Sequence, residues 1–363
     1  MPDESTKAIT IKNHDELVRM GQLANQIVSA NVFANYRKRK AKKTIKRQNN
    51  DLVLFGQFLA GFRKVPSGDM ANDPGTWEEI TSGQVELFAE WCLETGYAVG
   101  SINVMLATVR TYADLAAKAG VLDHGELTMI LRVRGYSHRE GINVDEQRDD
   151  AGIETRRSLR RDDVIASRKI SPTWLTSAQI ALLKAQPNNP RGRRDRLLIC
   201  LLLNHGLRCS EVSGLTVESF DLDAGTLTFY RPKTDIWQTL ALLPDFEKTF
   251  PDFKETFEAA REYLEQDAPT SGPLWRWSRK GKTGYLLIDH QGMTTRGINK
   301  RVGELGDLIG ISNLSPHDLR HIWATRRARQ VSFDQFKEEG GWKSVAMPMR
   351  YVKAGRVIGR DDP

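Results

Sequence analysis

The sequence predicts a mainly α-helical protein of two domains, with one small β-sheet set into the second. Three observations support this. Before residue 135, apolar residues recur at helical spacing and no strand-like alternation is seen. From Arg134 to Ser171 the chain becomes rich in Arg, Asp, Gly and Ser and loses that periodicity. Beyond it, two β-rich runs flank a short turn inside an otherwise helical half. The expected organisation is a helical domain over 1–134, a basic and polar linker over 135–171 and a second domain over 172–363.

In the first domain, Leu52, Phe55, Phe58 and Leu59 mark one helix, and Val85, Phe88, Trp91 and Cys92 a second. Ile102, Met105, Leu106, Val109, Tyr112 and Leu115 mark a third. The second domain opens on Thr176, an N-cap with Gln179 three residues on, so a helix should follow. Arg194 to Asn204 reads as an apolar helix ending near Gly206, a residue suited to the left-handed cap. Gly225–Tyr230 and Thr239–Leu243 read as strands of a hairpin, with Lys233 at or near its turn, and the chain after Gly292 reads as helical.

The chain has 363 residues, and its 53 Lys and Arg against 46 Asp and Glu give a formal charge of +7, which favours a polyanionic partner without identifying it. The longest apolar run, Leu197–Leu203, is too short to span a bilayer, and the polar start MPDESTK lacks a secretory apolar core. A cytoplasmic protein is expected, nucleoid-associated in a prokaryote, with no membrane partner. Cys92, Cys200 and Cys209 show neither paired spacing nor a CxxC, so free thiols are expected. No HExxH or Cys/His cluster offers a metal ligand set, and no metal or cofactor is expected.

The segment Ser315-Pro316-His317-Asp318-Leu319-Arg320 carries the most chemistry. Ser at the N-cap and Pro at the first helical position start a helix, and His317 and Arg320, three apart, share one face where the helix dipole favours an anion. A capped helix carrying surface charge accounts for the same residues. Upstream, Arg208 follows the apolar helix in His205-Gly206-Leu207-Arg208-Cys209-Ser210-Glu211, where a surface arginine paired to Glu211 is the simpler account. Downstream, Gly340-Gly341-Trp342 precedes Tyr351 by nine positions, and a half-buried aromatic explains that tyrosine equally well.

Taken in order, these pieces decide more than any one alone. HGLRCSEVSGL, a hairpin lysine in RPKTD, then SPHDLRHIWAT, GGW and Tyr351 resemble the tyrosine recombinase, or phage integrase, family over roughly Leu175 to Gly355. The first half is similar to that family's helical core-binding (SAM-like) domain only in length, helical character and position. The resemblance implies an α+β catalytic domain that closes with the helical one as a clamp around DNA. It implies site-specific cleavage and rejoining of double-stranded DNA through a 3′-phosphotyrosyl intermediate at Tyr351, without metal or ATP. Arg208 and Arg320 would grip the non-bridging oxygens of the scissile phosphate, His317 would assist proton transfer or bond the phosphate, and Lys233 would protonate the leaving 5′-oxygen. Arg231 in the same turn and Lys282 in a second Gly-rich segment compete with Lys233 for that assignment. Trp342 stands where most members carry histidine and a minority tryptophan, so its part would be positioning and packing. Glu211 matches an acidic position that orients the active-site Arg or Lys.

Outside the motif, Arg37, Lys38, Arg39, Lys40, Lys42, Lys43, Lys46 and Arg47 form a run with no acidic residue among them. A solvated charged face is the usual account; the resemblance makes them candidates for phosphate contacts, with Asn49 and Asn50 near base edges. Arg156, Arg157, Arg160 and Arg161 in the linker are further candidates. The family's habit of assembling as a tetramer on two DNA sites carries over, although the twelve residues after Tyr351 leave little length for the helix by which many members dock on a neighbour. A DNA-binding protein of the same fold without turnover and a type IB topoisomerase-like enzyme are the competing readings.

Overall fold

Apolar side chains at helical spacing bury themselves by packing helix on helix, and in the computed structural model the described residues form one such core in the first half and a larger and a smaller one in the second. The structure describes residues 14–63, 68–150, 173–243, 251–281 and 284–358. Arg156, Arg157, Arg160, Arg161 and Lys282 lie outside the described residues. The chain divides into two compact units, Met1–Arg168 and Lys169–Pro363.

The first unit runs through α1 (His14–Ala30), α2 (Val32–Lys38), α3 (Lys42–Arg63), α4 (Ser82–Glu94), α5 (Val99–Lys118), α6 (His124–Arg132) and α7 (His138–Asp150). The three expected stripes lie on α3, α4 and α5. Phe55, Phe88, Ile102, Leu106 and Tyr112 have no exposed surface, each such burial contributing roughly 1.5–3 kcal/mol. The ring of Phe55 meets that of Phe88 edge-on at 5.0 Å. Helix α4 starts on a capping box between Thr81 and Gln84.

Helix α7 corrects the expected linker. Residues 138–150, read as polar and aperiodic, form a helix whose Arg148 is buried and donates to the carbonyls of Leu93 and Tyr97 at the end of α4. An arginine turned inward to cap helix carbonyls leaves no apolar stripe for a periodicity argument to find.

The second unit is built on α9 (Pro190–Asn204), whose Leu197–Leu203 run is buried throughout. Before it, α8 (Ser177–Lys184) has the expected Thr176–Gln179 capping box. After it come α10 (Cys209–Val212), the three-stranded antiparallel sheet β1 (Phe220–Asp221), β2 (Thr226–Arg231) and β3 (Ile236–Ala241), and α11 (Pro251–Gln266). A second hairpin, β4 (Arg276–Gly281) and β5 (Gly284–Gly292), was not read from the sequence, because Trp277–Arg279 and Tyr285–Ile288 alternate too briefly. Four helices close the unit: α12 (Thr295–Leu308), α13 (Pro316–Arg327), α14 (Phe333–Glu339) and α15 (Ala346–Ile358). The first hairpin is tighter than expected, with Ile236–Gln238 in strand and a turn over 232–235 in which Asp235 takes φ +58°.

One buried ion cluster ties these layers together. Asp195, with no exposed surface, accepts from Arg194 at 2.6 Å and from Arg301 of α12 at 2.7 Å, while Arg194 also donates to the carbonyl of Arg276 on β4 at 2.6 Å. Removing one partner of such a cluster costs about 3–5 kcal/mol, because a buried charge is left unbalanced.

His205, at the end of α9, is buried against Phe253 at 4.7 Å between ring centroids, and its Nε2 finds no hydrogen-bond partner among the described residues. Burial, with Arg327 next, holds its pKa down at about 3. The folded state therefore stays neutral while the unfolded chain takes up a proton below pH 6.5, so stability falls as pH drops from about 6.5 towards 3. Urea unfolding at a series of pH values should show this loss, up to about 1.4 kcal/mol per pH unit, and His205→Gln should flatten it.

Candidate active site

The site forms where α14 ends. Its C-terminus is a Schellman motif: Trp342 N–H donates to Lys337 O at 3.1 Å and Gly341 N–H to Glu338 O at 2.9 Å. Gly341 takes φ +60°, and Trp342 packs its ring 4.9 Å from Phe336. The motif leaves the next carbonyls pointing out of the helix end, where the dipole is negative and cations are favoured.

Three arginines occupy them. Glu339 O accepts from Arg231 Nη2 at 2.6 Å, Gly340 O from Arg320 Nη2 at 2.7 Å, and Gly341 O from Arg208 Nη2 at 3.5 Å. Arg320 lies on the first turns of α13, started by Ser315, Pro316 and the Asp318 capping box, and its other amino group donates to Gly206 O. Gly206 takes φ +59°, and a Cβ there would stand 2.1 Å from the Trp323 ring. A Cβ on Gly340 would stand 1.9 Å from Trp342, so both loops approach their neighbours at a distance only glycine permits.

Glu211 balances part of this charge. Its Oε1 accepts from Arg208 Nη1 at 2.7 Å and Arg231 Nη1 at 2.9 Å, and its Oε2 from the Arg208 backbone N–H at 2.8 Å. Two guanidinium groups thus share one carboxylate, and the third, Arg320, bonds only carbonyls. Burial, with Arg208 next, lowers Arg320 to about 9, Glu211 pulling the other way. A site with surplus buried positive charge and N–H donors is built to take an anion such as phosphate.

Tyr351 of α15 is 6% exposed and sits against His321 at 5.3 Å, Trp342 at 5.7 Å and Phe336 at 6.4 Å between ring centroids. Burial raises its pKa, and Arg320 and Arg208 oppose that rise. The phenol therefore keeps its proton at neutral pH, and attack through its oxygen requires a proton acceptor. His317, exposed on the same face of α13, has its Nε2 2.9 Å from that of His321, so one proton is shared between the two rings. Burial, then His317, lowers the pKa of His321.

The structure thus brings together Arg208, Glu211, His317, Arg320, Trp342 and Tyr351. Lys233 stands apart, exposed on the β2–β3 turn, two residues from Arg231. Of the basic run in the first unit, Lys38, Arg39, Lys42, Lys43, Lys46 and Arg47 are exposed, and Lys40 lies 4.9 Å over the Tyr36 ring. Arg47 bonds Asp51 at 2.5 Å and Thr108 at 3.0 Å. Arg37 turns inward, donating to Asn49 Oδ1 at 2.8 Å and Ala71 O at 3.3 Å, so this arginine and Asn49 are engaged with each other. Among the described residues no group of three or more His, Cys, Asp and Glu is placed to hold a metal ion, and no helix is long and apolar enough to cross a membrane.

A family model described as the phage integrase family matches residues 173–356, just over half of the chain and all of this site. The chain belongs to the phage integrase family. Tyrosine recombinase XerD of Neisseria meningitidis serogroup B is 31% identical over 160 residues, 44% of this chain and 50% of that protein. Tyrosine recombinase XerC of Herpetosiphon aurantiacus is 29% identical over 316 residues, 85% of this chain and 84% of that one. The chain spans about half the length of the XerD relatives it matches. The Tn1549 transposon integrase, solved in complex with a circular intermediate DNA, superposes with a TM-score of 0.57 at 15% identity over 89% of this chain and 94% of that one, a likeness of fold.

Two residues of this phage integrase family member have a place that its sequence reading did not give them. Arg231 was read as a rival to Lys233 on the turn, yet it is fully buried. The alternation of β2 contains the signal, since Leu227, Phe229 and Arg231 all face inward. His321, four residues after His317, was legible from helical spacing alone.

Trp342 packs on Trp323, Phe336 and Tyr351, and the Arg320 guanidinium lies 5.0 Å over it. Trp342→Ala should therefore destabilise the fold by roughly 3 kcal/mol, the lower end for truncated aromatics. Trp342→Phe should retain most of that stability, and thermal unfolding of the two variants checks the difference.

Proposed function

We propose that this protein cuts and rejoins double-stranded DNA at specific sites through a covalent phosphotyrosine at Tyr351. The observation that carries the reading is the burial of Tyr351 against Trp342, over which the Arg320 guanidinium lies, with Arg208 and Arg320 on adjoining carbonyls. Arg208 and Arg320 bind the non-bridging oxygens of the scissile phosphate, where negative charge builds in the transition state and preformed donors are most effective. The Tyr351 oxygen attacks phosphorus and its proton passes to His317, in a pair with His321. The bond from phosphorus to the 5′-oxygen breaks, and Lys233, on its exposed turn, supplies the proton that the leaving oxygen needs. One phosphodiester is exchanged for another ester of similar energy, so a 5′-hydroxyl of the partner strand reverses the step without ATP.

Trp342 positions Tyr351 by packing, and Glu211 orients Arg208. The exposed Lys38, Arg39, Lys40, Lys42, Lys43, Lys46 and Arg47 of the first unit, together with Arg156, Arg157, Arg160 and Arg161, contact phosphates of the duplex. Binding should therefore weaken steeply with salt. The working assembly is a tetramer on two DNA sites, acting in the cytoplasm.

The test is to trap the covalent intermediate on nicked duplexes carrying the attachment DNA. Wild type should give a protein–DNA adduct on a denaturing gel and Tyr351→Phe none. Tight binding with no adduct would favour a DNA-binding protein of this fold without turnover.

A further inference from the structure

We infer that Arg231 is a positioning residue that leaves Arg208 available to phosphate by taking a share of Glu211. The inference rests on reading Arg208 as a phosphate ligand. Arg231 has no exposed surface, so it cannot itself reach DNA, and a fully buried guanidinium needs a stated reason. The hydrogen bonds of its guanidinium lead towards the site, and the same group lies 4.8 Å over the Phe229 ring of β2. Its Nη1 meets Glu211 Oε1, which Arg208 Nη1 also meets; its Nη2 meets Glu339 O; its Nε meets Gln238 Oε1 of β3. Gln238 in turn donates to Glu338 O at 3.3 Å. The base of the Lys233 hairpin is thereby fastened to the end of α14, immediately before Trp342.

The charge argument follows from the shared oxygen. The Glu211 carboxylate is 1% exposed, so water screens its pairing with either arginine very little. With both guanidiniums present its charge is divided, and Arg208, 21% exposed, keeps a net positive field on its outer side. Without Arg231 the whole carboxylate charge falls on Arg208 and offsets the field that the phosphate would feel. Gly341 sits against this arrangement, since a Cβ there would stand 2.7 Å from Arg231 Nε.

A double-mutant cycle separates this from a merely structural role. Arg231→Met should slow adduct formation on nicked duplex on the order of tenfold to a hundredfold, the usual range for residues that support a site from behind, with duplex affinity unchanged. Arg231→Met combined with Glu211→Gln, which removes the unbalanced charge, should form adduct faster than Arg231→Met alone. Arg231→Lys, keeping the charge without the planar fork, should fall between wild type and Arg231→Met. A double variant slower than both singles, or an Arg231→Met rate equal to wild type, overturns the inference. Urea unfolding of the same proteins provides a readout independent of cleavage: the double variant should unfold at no lower urea than Arg231→Met, and a lower midpoint also overturns it. A wild type giving no Tyr351-dependent adduct would sink the phosphotyrosine reading, while the unfolding cycle still decides the Arg231–Glu211 coupling.

Discussion

Three successive carbonyl groups at the end of one short helix hold three arginines in place, and the candidate site depends on that arrangement. Buried guanidiniums repel one another and lose hydration, so they do not gather unaided. Here Glu339, Gly340 and Gly341 each offer a carbonyl to one of them, at the negative end of α14. Glu211 supplies the one carboxylate shared by two. Trp342 closes the turn by packing on Phe336 and thereby meets Tyr351. The fold's contribution is to bring α9, α13, α14 and the first hairpin to that one helix end.

Much of this was legible in the sequence where a residue acts locally. Thr176 with Gln179 and Ser315 with Asp318 start their helices as capping boxes, and Gly206 takes the left-handed turn after α9. The order of Arg208, His317, Arg320, Trp342 and Tyr351 was legible through resemblance, because a family's site survives as spaced residues. What escaped depends on contacts distant in sequence. Arg148 hid α7 by burying a charge where a stripe should show an apolar residue. Arg37 and Asn49 looked like surface groups because nothing local shows that they bond each other. Arg231 looked like part of a turn until the register of β2 turned it inward.

The same features link stability to chemistry. Tyr351 is buried by the aromatic cluster, which raises its pKa and keeps its proton until an acceptor is in place. Arg320 is held below its ordinary pKa by burial and by its neighbouring arginines, a penalty that a bound anion would relieve. On the proposed reading, a cluster that gains most from an anion would hold binding energy ready for the transition state, where that anion carries most charge.

The most direct test of this account is to remove the charge from the phosphate and ask whether the arginine still matters. Adduct formation by wild type and Arg208→Ala would be compared on nicked duplexes carrying either an ordinary scissile phosphate or a methylphosphonate, in which a methyl replaces one charged oxygen. If Arg208 serves to neutralise that charge, the variant should lose on the order of a hundredfold on the ordinary phosphate and far less on the neutral one. An equal loss on both substrates would contradict the account and leave Arg208 a structural residue.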